Sequence, residues 1–198
     1  MGTRKYEQRK RAEAAAATRR GIAAAAARLH ETVGPAATTI SAVAEEAGVQ
    51  RPTVYRHFPT EESLLRACQA HFLEEHPPPQ PTWFAIDAPD ARLAEALRQL
   101  FAYYSETAAM NSNLLRDAPE MPVLRSILAP WFAFNDHVIA DLAPRWDAPP
   151  ERQHFVRAAI AHAIDFRTWQ TLIDGSELGV DEAVDLLVEM TRAAARPG

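Results

Sequence analysis

The chain has 198 residues, a net charge of −5, one cysteine and 47% apolar residues. That suits one large domain, or a small domain joined to a medium one, and excludes a disordered tail as its whole content. No apolar run approaches the roughly 20 residues a membrane-spanning helix needs, and the basic N-terminus leads into no apolar stretch with a small-residue cleavage site, so a soluble cytoplasmic protein is expected.

Alanine, the best helix former, fills 39 positions, while glycine supplies only 7. Strand-type alternation of Val, Ile and Thr is hard to find, so the expected fold class is all-α, with about nine helices. The 15 prolines do not oppose this, because they cluster at Pro77–Pro81, Pro119–Pro122 and Pro149–Pro150, between helical segments. Cys68 has no internal partner for a disulfide and reads as a helix-buried thiol.

Residues 1–15 read as a basic flexible tail carrying Arg4, Lys5, Arg9, Lys10 and Arg11. A first helix is expected from about Glu7 to Val33, with Ile22, Ala26, Leu29 and Val33 on one face. Gly34-Pro35 stops it. Short helices follow over Ile40–Ala47, with Thr38 or Thr39 as N-cap, and over Arg51–His57, with Pro52 in its first turn. Thr60 caps a helix from Glu61 to about Glu75. After the Pro77–Pro81 linker come helices at about Pro89–Ala109, Ser112–Asp117, Val123–Leu142 with a kink at Pro130, Pro149 to about Asp174, and Val180–Ala195. The domain expectation is therefore a tail over 1–15, a helical domain over 16–76, and a second helical domain over 77–198.

Charge divides along the same line. Residues 1–60 carry a net +5 and residues 61–198 a net −10. The basic part is where a polyanion would sit, although a solvated tail would look the same.

The most informative stretch is 39–58. Two short helices joined at Gly48 make a helix-turn-helix. Ala44 is small enough for a close crossing, Gly48 can take the left-handed conformation of the turn, and Val43, Val49 and Val54 are spaced to pack the helices together. A generic helical hairpin would share these features. The second helix adds something a packing helix has little use for: Arg, Thr, Tyr, Arg and His heads within Arg51–Phe58. A helix lying in the major groove uses such heads, since base edges and phosphates are its surroundings.

The segment from Ala37 to Leu65, above all Thr53-Val-Tyr-Arg-His-Phe-Pro59, resembles the DNA-binding module of the TetR family of bacterial transcriptional regulators. The resemblance covers about residues 16–76, and the rest of the chain shares only an all-helical pattern. Ala158 to Trp169 is similar to a motif in one branch of such regulators. The resemblance implies a homodimeric repressor that binds a double-stranded DNA operator and is released by a small-molecule effector. It further implies that Tyr55 and His57 contact phosphate, with Thr39 adding a third phosphate contact from the preceding helix. Gln50, Arg51, Pro52 and Thr53 become candidates for base contact, and Arg56 is either a DNA contact or half of a surface salt bridge. Two departures stand out. Glu61 takes a place where members often carry Lys, and there an acid favours the helix N-terminus but cannot meet a phosphate. His30 stands where an aromatic is usual.

Phe155, Ala159, His162, Phe166, Trp169 and Ile173 form one stripe on the helix after Pro150, and Val156, Ile160, Ile164 and Leu172 a second. Val184 and Leu187 mark one side of the last helix, Leu186 and Met190 the other. Double-sided apolarity points to a homodimer through a four-helix bundle, with Phe155, Ala159, Phe166, Val184 and Leu187 as dimerisation candidates; a monomer burying both stripes is the alternative. Phe101, Tyr104, Trp131 and Phe134, with Asn135, His162 and Asp165, are the candidate ligand-binding residues, an ordinary core being the competing reading. No phosphate loop, nucleophile elbow or metal-ligand spacing is present, so no enzyme activity, cofactor or metal is expected. The competing function is a helical small-molecule carrier that does not bind DNA sequence-specifically.

Overall fold

The computed structural model describes residues 2–176 and 178–197, with side chains from residue 5 onward, so Arg4 lies outside the described side chains. The described residues form helices and loops without strands, in two compact units: residues 1–77 with 109–127, and residues 78–108 with 128–198. The division falls within the proline stretch, between residues 77 and 78, and the stretch 109–127 belongs to the first unit.

In the first unit, α1 (Gly2–Thr32) begins earlier than expected and takes in the basic stretch anticipated as a flexible tail. Its buried side chains begin only at Ile22 and continue through Ala26 to His30. α2 (Ile40–Glu46) is capped by Thr39, whose Oγ1 accepts the Ala42 N–H at 3.1 Å. At its other end Gly48 adopts φ +64, and the Gly48 and Val49 N–H groups donate back to the Glu45 and Ala44 carbonyls at 3.0 and 2.9 Å. This glycine stop satisfies two terminal carbonyls and turns the chain into α3 (Arg51–His57). α4 (Glu61–Glu75) opens with a reciprocal cap between Thr60 and Ser63, with Glu61 and Glu62 in its first turn, where acids are favourable. Ile22, Ala26, Val43, Ala44, Val54, Phe58, Leu64, Cys68 and Phe72 make one apolar cluster, joined by Met110.

Met110 belongs to α5 (Pro89–Asp117), one continuous helix where two were expected. Asn111 and Ser112 read locally as a break. No Gly or Pro enforces one, and burying Met110 and half-burying Leu114 against the first unit's core outweighs their weak propensities. The end of α5 closes the end of α1: Asn113 donates to the His30 and Glu31 carbonyls at 3.0 and 2.8 Å, and Arg116 to the Val33 carbonyl at 3.0 Å. Asp117 accepts the Ala36 N–H at 2.9 Å.

In the second unit, the chain after the prolines forms a short 3₁₀ turn, Thr82–Ala85, with Trp83 fully buried. Arg92 of α5 is 1% exposed and uses its whole guanidinium. It clasps Asp141 at 2.9 and 2.7 Å and donates to the Phe84 and Ile86 carbonyls at 2.6 and 2.8 Å. Asp141 lies on α6 (Pro122–Leu142), which continues through Pro130.

The expected long helix from Pro149 to Asp174 is broken. α7 (Gln153–Ala163) ends at Ile164. Asp165 turns extended and accepts the Arg167 N–H at 2.7 Å, starting α8 (Phe166–Trp169), which runs into a π-turn over Gln170–Asp174. α9 (Val180–Ala195) follows and packs on α7. The break matters for the apolar stripes, because residues before and after it no longer share a face.

Candidate nucleic-acid interface and ligand-binding unit

α3 turns one side inward and the other out. Val54 and the following Phe58 are buried, anchoring the helix to the first unit's core. Arg51, Pro52, Tyr55 and Arg56 are exposed, with Gln50 exposed at the N-cap. Tyr55, at 49% exposure, stands well clear of the core. Thr53 and His57 are half-buried at the flanks, and Thr39 is exposed at the head of α2. Among the described residues, Gln50, Arg51, Tyr55 and Arg56 engage in no side-chain hydrogen bond or ion pair, so the surface salt bridge considered for Arg56 is not formed. The sequence brings these heads together on one solvent-facing surface.

The structure adds Arg19, which the sequence reading did not single out. Its guanidinium donates to the His57 carbonyl and lies 4.0 Å from the centre of the Phe58 ring. It thereby satisfies a carbonyl at the end of α3 and clamps that end to α1. The signal was present only as an arginine spaced three residues before Ile22 at the start of the buried stretch.

Below this surface, His30 is 4% exposed, and its Nδ1 sits 3.1 Å from the Cys68 sulfur. Burial pulls the His30 imidazole down to about 4, against the opposing pull of Asp117. Burial pushes the Cys68 thiol up to about 12, so it stays protonated and unreactive.

The ligand candidates divide into two places within the second unit. Phe101, Tyr104, Trp131 and Phe134 join a ring cluster. Tyr104 lies 6.1 Å from Trp131, and Trp131 stacks on Phe134 at 5.3 Å. Phe166 and Trp169 extend the cluster, at 5.4 and 6.2 Å from Tyr104. The Tyr104 hydroxyl donates to the Ile164 carbonyl at 2.7 Å. Burial, reinforced by Asp165 and Tyr103, raises its pKa, so it remains a neutral donor. Two buried polar atoms beside these rings, Asn135 Oδ1 and Trp169 Nε1, have no hydrogen-bond partner. His162 and Asp165, in contrast, are exposed and line an open groove of about 500 Å³ with Arg167, Thr171, Leu186 and Met190. His162 Nδ1 lies 3.2 Å from the Thr168 hydroxyl.

The dimerisation candidates also separate. Phe166, Val184 and Leu187 are buried within their own unit and offer no surface to a second chain. For Phe166 the physical reason is the break at Asp165: before it the inward stripe is Val156, Ile160 and Ile164, after it Phe166 and Trp169, while Val184 and Leu187 lie on the inward side of α9. Phe155 is exposed and Ala159 half-buried. The exposed large apolar side chains of α7 and α9 are Phe155, Val180, Leu186 and Met190.

An exposed polar short helix fixed across a glycine turn is the arrangement of a helix-turn-helix DNA-binding protein. Residues 22–68 match the family of bacterial regulatory proteins called the tetR family. The fold agrees. A tetR-family transcriptional regulator from Streptomyces coelicolor aligns with TM-score 0.60 and 23% identity over 89% of this chain and 79% of that one. The multidrug binding protein EbrR, solved with imidazole, aligns with TM-score 0.56 and 24% identity over 87% and 88%. A HlyIIR mutant protein in which a segment is replaced by a linker with two thrombin sites aligns with TM-score 0.60 and 16% identity over 89% and 97%. No curated protein sequence matches the chain. The N-terminal module is a tetR-family DNA-binding domain, and the chain has the all-α fold of a tetR-family transcriptional regulator. Among the described residues no helix is long and apolar enough to cross a membrane.

Proposed function

We propose that the protein is a homodimeric transcriptional repressor that grips its operator through α3 and leaves it when a small molecule fills the C-terminal unit. It acts by binding, not catalysis. The observation that carries this reading is the unpaired outward set Gln50, Arg51, Tyr55 and Arg56 on a helix anchored by Val54 and Phe58. Tyr55, His57 and Thr39 position the helix on phosphates, and Gln50, Arg51, Pro52 and Thr53 meet base edges. Two copies with reading helices about 34 Å apart would meet successive major grooves, and the exposed Phe155, Leu186 and Met190 supply an apolar face for pairing them.

The effector site is the ring cluster around Tyr104 and Trp131. Its orphaned Asn135 oxygen and Trp169 N–H offer one acceptor and one donor to a ligand, and aromatic walls with a few polar groups suit a small flat molecule. EbrR, of similar fold, is a multidrug binding protein solved with imidazole. Coupling to DNA has two supports in the first unit. The end of α5 holds the end of α1, and Gln69 of α4 donates to the Ile127 carbonyl of α6 at 2.8 Å. A shift of either long helix on ligand binding would reach the reading head.

The test is selection of duplexes from a random DNA library by the full-length protein, repeated with a metabolite panel. Recovery of a two-fold symmetric site, with a metabolite that lowers affinity for it, is expected. Failure to enrich any sequence over the starting library overturns the DNA-binding reading.

A further inference from the structure

Helix α1 projects well beyond the core it helps to build. From residue 5 to residue 20 its side chains are exposed, Thr18 alone being half-buried, and the first buried side chain is Ile22. This stretch holds Lys5, Arg9, Lys10, Arg11, Arg19 and Arg20 against Glu7 and Glu13. Alanine-rich sequence and the Arg9–Glu13 pair at 3.4 Å sustain this helix for four turns beyond its core, but its excess of basic charge is used by nothing within the fold. Its charge fits a polyanion. At 3.6 residues per turn, Lys5, Arg9, Arg19 and Arg20 fall within about 100° of one side, with Lys10 and Arg11 on the other. Arg19 ties that side to the C-terminal end of α3 through the His57 carbonyl and the Phe58 ring.

We propose that the N-terminal part of α1 is a second DNA-binding element, a rigid helical arm that lays Lys5 and Arg9 along the phosphate backbone flanking the site read by α3. The proposal rests on the operator-binding reading above. The arm is a helix, so its reach is set: 14 residues before Arg19 at 1.5 Å each give about 21 Å, or about six base pairs beyond each half-site. The tetR-family match begins at residue 22 and does not include it. Its charges carry no sequence information, so it adds affinity and salt dependence without specificity.

The test uses the full-length protein and its library-selected site, embedded in duplexes of about 20 and about 40 base pairs. The longer duplex is expected to bind tighter, with a steeper fall of log K against log salt. Lys5→Ala with Arg9→Ala should erase that advantage and lower the slope on the long duplex by about 3.6, for two contacts from each of two subunits at about 0.9 apiece, while binding to the short duplex stays unchanged. Alanine preserves the helix. Lys10→Ala with Arg11→Ala, on the far side, should leave the slope nearly intact. Equal affinity of the unaltered protein for both duplexes overturns the arm, as does an equal effect of the two double substitutions. Flank-independent DNA binding alongside retention of the arm by anionic phospholipid vesicles also overturns it. If no site is selected at all, the operator reading fails first.

Discussion

His30 Nδ1 lies 3.1 Å from the sulfur of Cys68, joining α1 to α4 in the middle of the DNA-binding unit's core. An aromatic ring would fill such a place without polarity. The histidine instead carries a group whose charge the fold resists: burial lowers its pKa from 6.5 to about 4, with Asp117 acting weakly the other way. Below pH 6.5 the unfolded chain takes up a proton that the folded one refuses. Stability is therefore full above that pH and falls as the pH drops from about 6.5 towards 4, by up to about 3 kcal/mol. Urea melts of the full-length protein between pH 7.5 and 4.5 should show this decline. His30→Leu should cost little at pH 7.5 and flatten the slope; a slope undiminished in that variant assigns the titration elsewhere.

Gly48 sits at φ +64 with open space where a Cβ would point. A substitution there meets no neighbour, so its cost is purely conformational. Gly48→Ala should destabilise by about 1–2 kcal/mol and Gly48→Val by more, with Gly48→Asn the mildest. Chemical denaturation ranks the three. Equal losses for Asn and Val would show that the left-handed conformation at Gly48 does not set the cost.

What could be read in the sequence was what local chemistry decides. Gly34, Gly48, Thr39, Thr60 and the proline clusters punctuate the chain, and each helix through α4 ends within a residue or two of where they place it. The start of α1 was illegible for a different reason: a charged alanine-rich stretch is as compatible with helix as with coil. Tertiary contacts decided the remainder. Met110 carries α5 past Asn111 because the first unit's core takes it in, and Asp165 breaks the α7 region because its carboxylate finds the Arg167 N–H. Aspartate is common both inside helices and as their cap, so spacing alone does not choose. That one break moved Phe166 from the expected outer face to the inner one, while the outward heads of α3 stood where the motif puts them.

Arg92 and Asp141 form the most enclosed ion pair of the second unit, with the arginine 1% exposed. A buried pair of this kind contributes modestly against an apolar replacement but costs heavily when halved. Asp141→Ala should destabilise by about 3–5 kcal/mol by stranding the guanidinium, and Arg92→Lys should not rescue the geometry, since one ammonium cannot serve a carboxylate and two carbonyls in a planar fork. Arg92→Met with Asp141→Leu should recover much of the loss. Thermal denaturation of the three variants checks the order.

Arg51 is exposed and unpaired, so Arg51→Ala should leave the melting temperature unchanged. On the selected operator it should cost about 1–3 kcal/mol and relax preference at one base pair of each half-site. Tyr55→Phe should weaken all sequences alike. If repeated library selection with the Arg51→Ala protein returns an unaltered consensus, Arg51 is not a base contact.

Leu186 and Leu187 are neighbours on α9 with opposite fates, the first 42% exposed and the second 2%. A charge at each asks a different question. Leu187→Glu buries a carboxylate in the unit's core and should unfold it or cost several kcal/mol. Leu186→Glu with Met190→Glu places charges on the outward face and should leave a single chain folded, with unaltered circular dichroism. If that face joins two copies, the double substitution puts like charges opposite each other across a two-fold axis, and sedimentation should then report monomers. Such monomers should hold a half-site far more weakly than the dimer holds the whole, because linking two reading heads is what converts weak contacts into tight ones. A double variant that still sediments as a dimer assigns the interface to another surface, and leaves Phe155, Leu186 and Met190 without a partner.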